Sequence, residues 1–109
     1  MDITTQEAEI YCRMELRSCG LKDFSIVWIE KSRTLGLCMP WDKQIHISKE
    51  CLRSAELLRE VLLHEAAHAL QWYDMGKTYI VNGRNSHHNK IWKRYCLILG
   101  IRPRRLLAI

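Results

Sequence analysis

The sequence predicts an α+β domain: an N-terminal helix, a small three-stranded antiparallel sheet, a long central helix and a C-terminal helix. Three observations carry that prediction. Apolar residues recur at three- and four-residue steps over 4–19, 55–73 and 86–99. Between 24 and 48, three short runs are rich in β-branched and aromatic residues or alternate in polarity, and turn residues separate them. The 109 residues suffice for one hydrophobic core and leave no room for a second, so 1–109 reads as a single domain.

In the first helix, Ala8, Tyr11, Cys12, Leu16 and Cys19 form one apolar stripe. Thr4 to Glu7 offers a capping box at its start, and Gly20 supplies a stop. The strands follow as Phe24–Ile29, Thr34–Met39 and Gln44–Ser48, joined by the polar turn Glu30–Arg33 and the turn Pro40–Asp42. His46 falls on the polar side of the third strand and reads as a surface residue. Ser48 or Ser54 can cap the long helix, whose apolar face comprises Leu57, Leu58, Val61, Leu62, Ala69, Leu70 and Trp72. Asp74–Lys77 ends that helix, and Thr78–Ser86 lacks a period and reads as a loop. The last helix runs from about Ser86 to Leu99 through Ile91, Trp92, Tyr95, Cys96 and Leu97, with Gly100 as terminator and Pro103 beyond it.

No uncharged apolar run approaches the roughly 20 residues that span a bilayer. Met1–Glu7 lacks the basic and then apolar order of an export signal, so a soluble, cytoplasmic protein without membrane partners is expected. Five cysteines, an odd number without a Cys-x-x-Cys pair, read as reduced thiols that act as small buried hydrophobes. The net charge is +5 and unevenly spread. After Asp74 there is no acidic residue, whereas Lys77, Arg84, Lys90, Lys93, Arg94, Arg102, Arg104 and Arg105 all follow. Such a segment either attracts a phosphate backbone or acidic partner, or is simply a solvated basic surface.

The chemistry concentrates in Leu62-Leu63-His64-Glu65-Ala66-Ala67-His68-Ala69-Leu70. Residues i and i+4 share a helix face, so His64 and His68 can present two nitrogens to one tetrahedral cation while Glu65 stands beside it. In this His-Glu-x-x-His pattern the glutamate is a general base and not a ligand. The bland alternative is three polar residues spaced by coincidence or paired with one another. Burying them so without a metal costs several kcal/mol in unpaired polar groups.

A catalytic zinc needs a third protein ligand. No glutamate follows Glu65, and Gln71 and Asp74 stand where one large class of such peptidases carries Gly and His. The remaining candidates are His87 and His88, with Asp74 and Cys96 behind them. His88 is preferred, because it precedes Trp92 by four residues and shares its face; His87 pairs in the same way with Ile91.

With His88-Asn89-Lys90-Ile91-Trp92, Leu97–Ile101, Trp28, Thr34–Cys38 and Ile45–Ser48 added to the motif, the chain over about 5–105 resembles the SprT-like zinc metallopeptidases, relatives of the Spartan protease. The resemblance implies a zincin-like minimal domain, Zn2+ held by His64, His68 and His88, and Glu65 as the general base. The chain departs from the family at Asn89, where many members have Gly, and a minimal catalytic domain is expected, without the cysteine-rich zinc ribbon and DNA-binding extensions many members carry.

The main expectation is therefore a zinc metallopeptidase acting on protein substrates. By the resemblance these are DNA-associated proteins, with the basic C-terminal segment as the element that meets DNA. Tyr73, Tyr79, Tyr95, Arg84 and His87 are all open as oxyanion donors. A second reading is a small basic module that docks on nucleic acid or a partner protein without proteolysis, with a structural zinc and with Trp92 and Tyr95 stacking among Lys90, Lys93 and Arg94. Those aromatics serve equally as the core face of the last helix. A third reading, a zinc hydrolase of non-peptide substrates, fits the same motif.

Overall fold

A computed structural model of the chain describes residues 3–30, 34–75 and 90–103. Helix α1 (Thr5–Ser18) starts from a complete capping box. The Thr4 hydroxyl accepts the Glu7 N–H at 3.1 Å, and Glu7 Oε1 accepts the Thr4 N–H at 3.1 Å, so two otherwise orphaned donors are satisfied reciprocally. Ala8, Cys12 and Leu16 form its buried stripe.

Strands β1 (Ser25–Ile29), β2 (Gly36–Met39) and β3 (Gln44–Ser48) match the three predicted runs, but their pairing differs from the all-antiparallel sheet the sequence suggested. The order is β1-β3-β2; β2 pairs antiparallel with β3, while β1 pairs parallel with it, Ile26 opposite Ile45 and Trp28 opposite Ile47. The physical reason lies in β3. Its Ile45 and Ile47 are completely buried, so this strand takes the centre and uses both edges for backbone hydrogen bonds. A short 3-10 turn at Pro40–Asp42 folds β2 back on it as a hairpin, and β1 is left the far edge, running the same way as β3.

Both candidate serine caps are used. The Ser48 hydroxyl accepts from the Glu50 N–H at 3.2 Å and opens a 3-10 segment, Lys49–Arg53, that the sequence reading missed. The Ser54 hydroxyl accepts from the Leu57 N–H at 3.2 Å and opens helix α2 (Ala55–Met75). Helix α3 (Lys90–Ile98) ends at Gly100, whose φ of 81° suits a residue without Cβ. The Ile101 N–H then reaches back to the Cys96 carbonyl at 3.0 Å and buries Ile101 under the helix. The predicted first turn of this helix, 86–89, and the 78–86 loop lie outside the described residues.

The main core joins α1, the sheet and one side of α2. A second cluster, Leu63, Ala67, Trp92, Cys96 and Ile101, fastens α3 to the opposite side of α2. Four of the five cysteines are buried and the fifth, Cys19, is half-buried; all are free. Burial pushes the thiols of Cys12 and Cys96 up to about 12 and that of Cys51 to about 11, so they pack as neutral hydrophobes, as expected. Among the described residues no helix is long and apolar enough to cross a membrane.

Candidate functional site

From Val61 to Ala69 every residue of α2 is buried, because the sheet packs on one side of the helix and α3 on another. A helix enclosed all round is normally apolar all round. This one carries His64, Glu65, His68 and Gln71 in its buried part, each at most 1% exposed.

The two imidazoles sit one turn apart with ring centroids at 5.1 Å. Trp92 of α3 forms a wall against both: its rings stack on His68 at 5.4 Å and 21°, and meet the His64 ring edge-on at 5.0 Å. Its indole Nε1–H donates to the main-chain carbonyl of His64 at 3.4 Å. Gln71, three residues after His68 and therefore on the same face, places Oε1 3.1 Å from His68 Nδ1.

Glu65 lies against edge strand β2. Neither of its carboxylate oxygens has a hydrogen-bond partner among the described residues. His64 Nε2 lies 3.9 Å from Oε2, too far for a hydrogen bond. Burial alone drives the Glu65 pKa well above the usual carboxylate range, so the contact with His64 does not hold a charged carboxylate in place. Cys38 on β2 and Cys96 on α3 both sense Glu65: burial first, then its charge, raises their thiols. β2 approaches this closely because residue 36 is glycine. A Cβ there would stand 2.8 Å from Val61 Cγ1 and 3.1 Å from Glu65 Oε2.

His64, Glu65 and His68 are thus brought together, while His87 and His88 lie outside the described residues, as do Tyr79 and Arg84. Among the described residues no three His, Cys, Asp or Glu side chains are grouped to hold a metal ion, so neither Asp74 nor Cys96 completes the set. Asp74 is exposed and accepts the Tyr95 hydroxyl at 2.9 Å, which commits both side chains to tying the end of α2 to α3. Tyr73 is also exposed, its ring edge-on to Phe24. His46 is half-buried rather than fully at the surface, with Nε2 3.1 Å from Gln44 Oε1. Trp92, at 1% exposure, is core and offers no face to a base, which removes it as a stacking platform.

Residues 7–104 match the SprT-like family. The chain belongs to that family. SprT-like proteins are generally associated with metallopeptidase-like activity, in keeping with a general protease and metal-binding reading. No solved structure gives a significant match to this SprT-like chain.

Sequence reasoning passed over two members of the site. Gln71 was read only as a departure from another peptidase class, although its i+3 spacing from His68 was visible. Gly36 carries no local signal, since its role is to leave space for residues 25 and 29 positions away.

Proposed function

We propose that this SprT-like protein is a zinc-dependent peptidase with a zincin-like site on α2. The observation that carries the proposal is a completely buried Glu65 carboxyl, its oxygens without hydrogen-bond partners among the described residues, beside two buried imidazoles one helical turn apart. An enclosed carboxyl left in this state costs several kcal/mol, and a hydrated cation at the histidines offsets that cost. Two imidazoles and a neighbouring carboxylate form a donor set that suits zinc.

His64 and His68 would hold the ion through Nε2, with His88, outside the described residues, as the third ligand. When bound, zinc supplies a Lewis acid that acidifies water and polarises a carbonyl. Glu65 takes the proton of the attacking water on its carboxylate and returns it to the amine that leaves. Burial, which raises its proton affinity, suits the carboxyl to keep that proton between the two transfers. Trp92 packs against both histidines and shields that side of them from solvent.

DNA-associated proteins are the substrate class we propose. Lys90, Lys93, Arg94 and Arg102 are exposed and make no ion pair with other described residues, so they are available to phosphates. The docking-module alternative rests on these cations alone once Trp92 is assigned to the core.

The test is hydrolysis of a casein-like substrate and of a DNA-bound protein, with and without DNA. Cleavage is expected from the zinc-loaded protein, lost on chelation and restored by zinc, and faster on the DNA-bound substrate in low salt. Zinc-loaded protein that cleaves neither substrate, yet binds DNA, would replace the peptidase with the docking module.

A further inference from the structure

His68 has a side-chain partner for a specific ring nitrogen, 3.1 Å away. That partner, Gln71, is completely buried. An amide in such a place costs free energy unless its polar atoms are hydrogen-bonded.

We propose that Gln71 is the positioning residue of the metal site: its Oε1 accepts the Nδ1–H of His68 and so fixes the tautomer whose Nε2 carries the lone pair. This inference rests on the reading of His64 and His68 as ligands. The geometry carries it in three steps. An amide oxygen can only accept, so at 3.1 Å the facing ring nitrogen must be the one that bears hydrogen. A neutral imidazole has one N–H, which leaves Nε2 as the atom able to bind a cation. Finally, a half-turn of the ring about its Cβ–Cγ bond would put a carbon against Oε1 and forfeit the bond. The near-parallel stack with Trp92 fixes the ring plane but does not distinguish these two orientations; Gln71 does. Partners of this kind on ligating histidines orient the ring and increase its basicity.

The same positions yield a discriminating pair of substitutions. Gln71→Leu keeps the size and removes the acceptor. Gln71→Glu keeps an acceptor, and it would repel Nδ1 if that nitrogen carried the lone pair instead. The experiment measures zinc affinity by chelator competition for wild type and both variants, with unfolding curves on each to establish that it folds. Histidine tautomers in the metal-free wild type are read by long-range proton–nitrogen NMR.

Wild-type His68 is expected with hydrogen on Nδ1. Q71L should bind zinc roughly 10–100-fold more weakly, and Q71E should bind at least as tightly as wild type. Hydrogen on Nε2 of His68 in the wild type, Q71L affinity equal to wild type, or Q71E as weak as a folded Q71L would each overturn the role of Gln71 and leave the metal site standing. Wild-type protein that binds no zinc would overturn the metal site and this inference with it. The NMR readout keeps the proposal open to refutation even if Q71L does not fold.

Discussion

Gly36→Ala tests the close approach of β2 to the motif helix. The added Cβ would lie 2.8 Å from Val61 Cγ1, 3.1 Å from Glu65 Oε2 and 3.2 Å from Glu65 Cγ. Carbon atoms rest at about 3.5–4.0 Å, so strand and helix must separate by several tenths of an ångström. Val61 and Glu65 are completely buried and have no free end to swing away. Overpacking of this kind costs about 1–3 kcal/mol. The lower entropy of the unfolded alanine chain offsets about 0.4–1 kcal/mol of that. The expected net loss is on the order of 1–2 kcal/mol, or a fall in Tm of about 4–8 °C per kcal/mol for a domain near this size. Thermal and urea unfolding of the metal-free protein measure it. Adding Val61→Ala removes the nearest atom, so the double mutant should be more stable than the sum of the two singles by about 0.5 kcal/mol or more. A G36A protein as stable as wild type, with additive behaviour in the cycle, would refute the packing argument.

Two further predictions concern groups in contact with the site. Because burial raises the folded-state pKa of Glu65 above its ordinary 4.5, both folded and unfolded chains hold it neutral below that value, and its contribution is fully present there. As pH rises above 4.5 the unfolded chain ionises first, so the metal-free wild type should lose stability toward neutral pH. Glu65→Gln should abolish this component: it should melt above wild type at neutral pH and close to it near pH ~4, and equal Tm values at both pH values would contradict the burial of this carboxyl. Trp92→Ala removes a fully buried ring that touches both histidines, and should destabilise by about 3–5 kcal/mol in urea unfolding. Trp92→Phe keeps a ring but loses the donor to the His64 carbonyl and part of the indole's bulk, so its loss should be smaller, about 1–3 kcal/mol, and a W92A protein no less stable than W92F would show that the ring is not core.

Local signals in the sequence carried most of the secondary structure. The capping box at Thr4, the alternation in Gln44–Ser48 and the helical spacing around the His-Glu-x-x-His run each depend on residues a few positions apart, and each appears where it was expected. Strand order was not legible, because the choice between an all-antiparallel sheet and β1 parallel to β3 depends on which strand buries both isoleucines, a decision of the assembled core. In the site, the juxtaposition of His64, Glu65 and His68 follows from helical geometry alone. The wall made by Trp92 was visible only as an apolar spacing, since packing α3 on α2 over a separation of 28 residues in sequence is what turns it into a contact. Gln71 was legible in position but not in role, as nothing in a spacing tells which ring nitrogen an amide will face.

In the proposed site Glu65 moves the proton while the histidines hold the metal. Zinc content and peptide cleavage measured side by side on wild type and Glu65→Gln test it most directly. Both proteins should retain zinc, and only the wild type should cleave. A Glu65→Gln protein that cleaves at the wild-type rate, or a wild type that takes up no zinc, would contradict it.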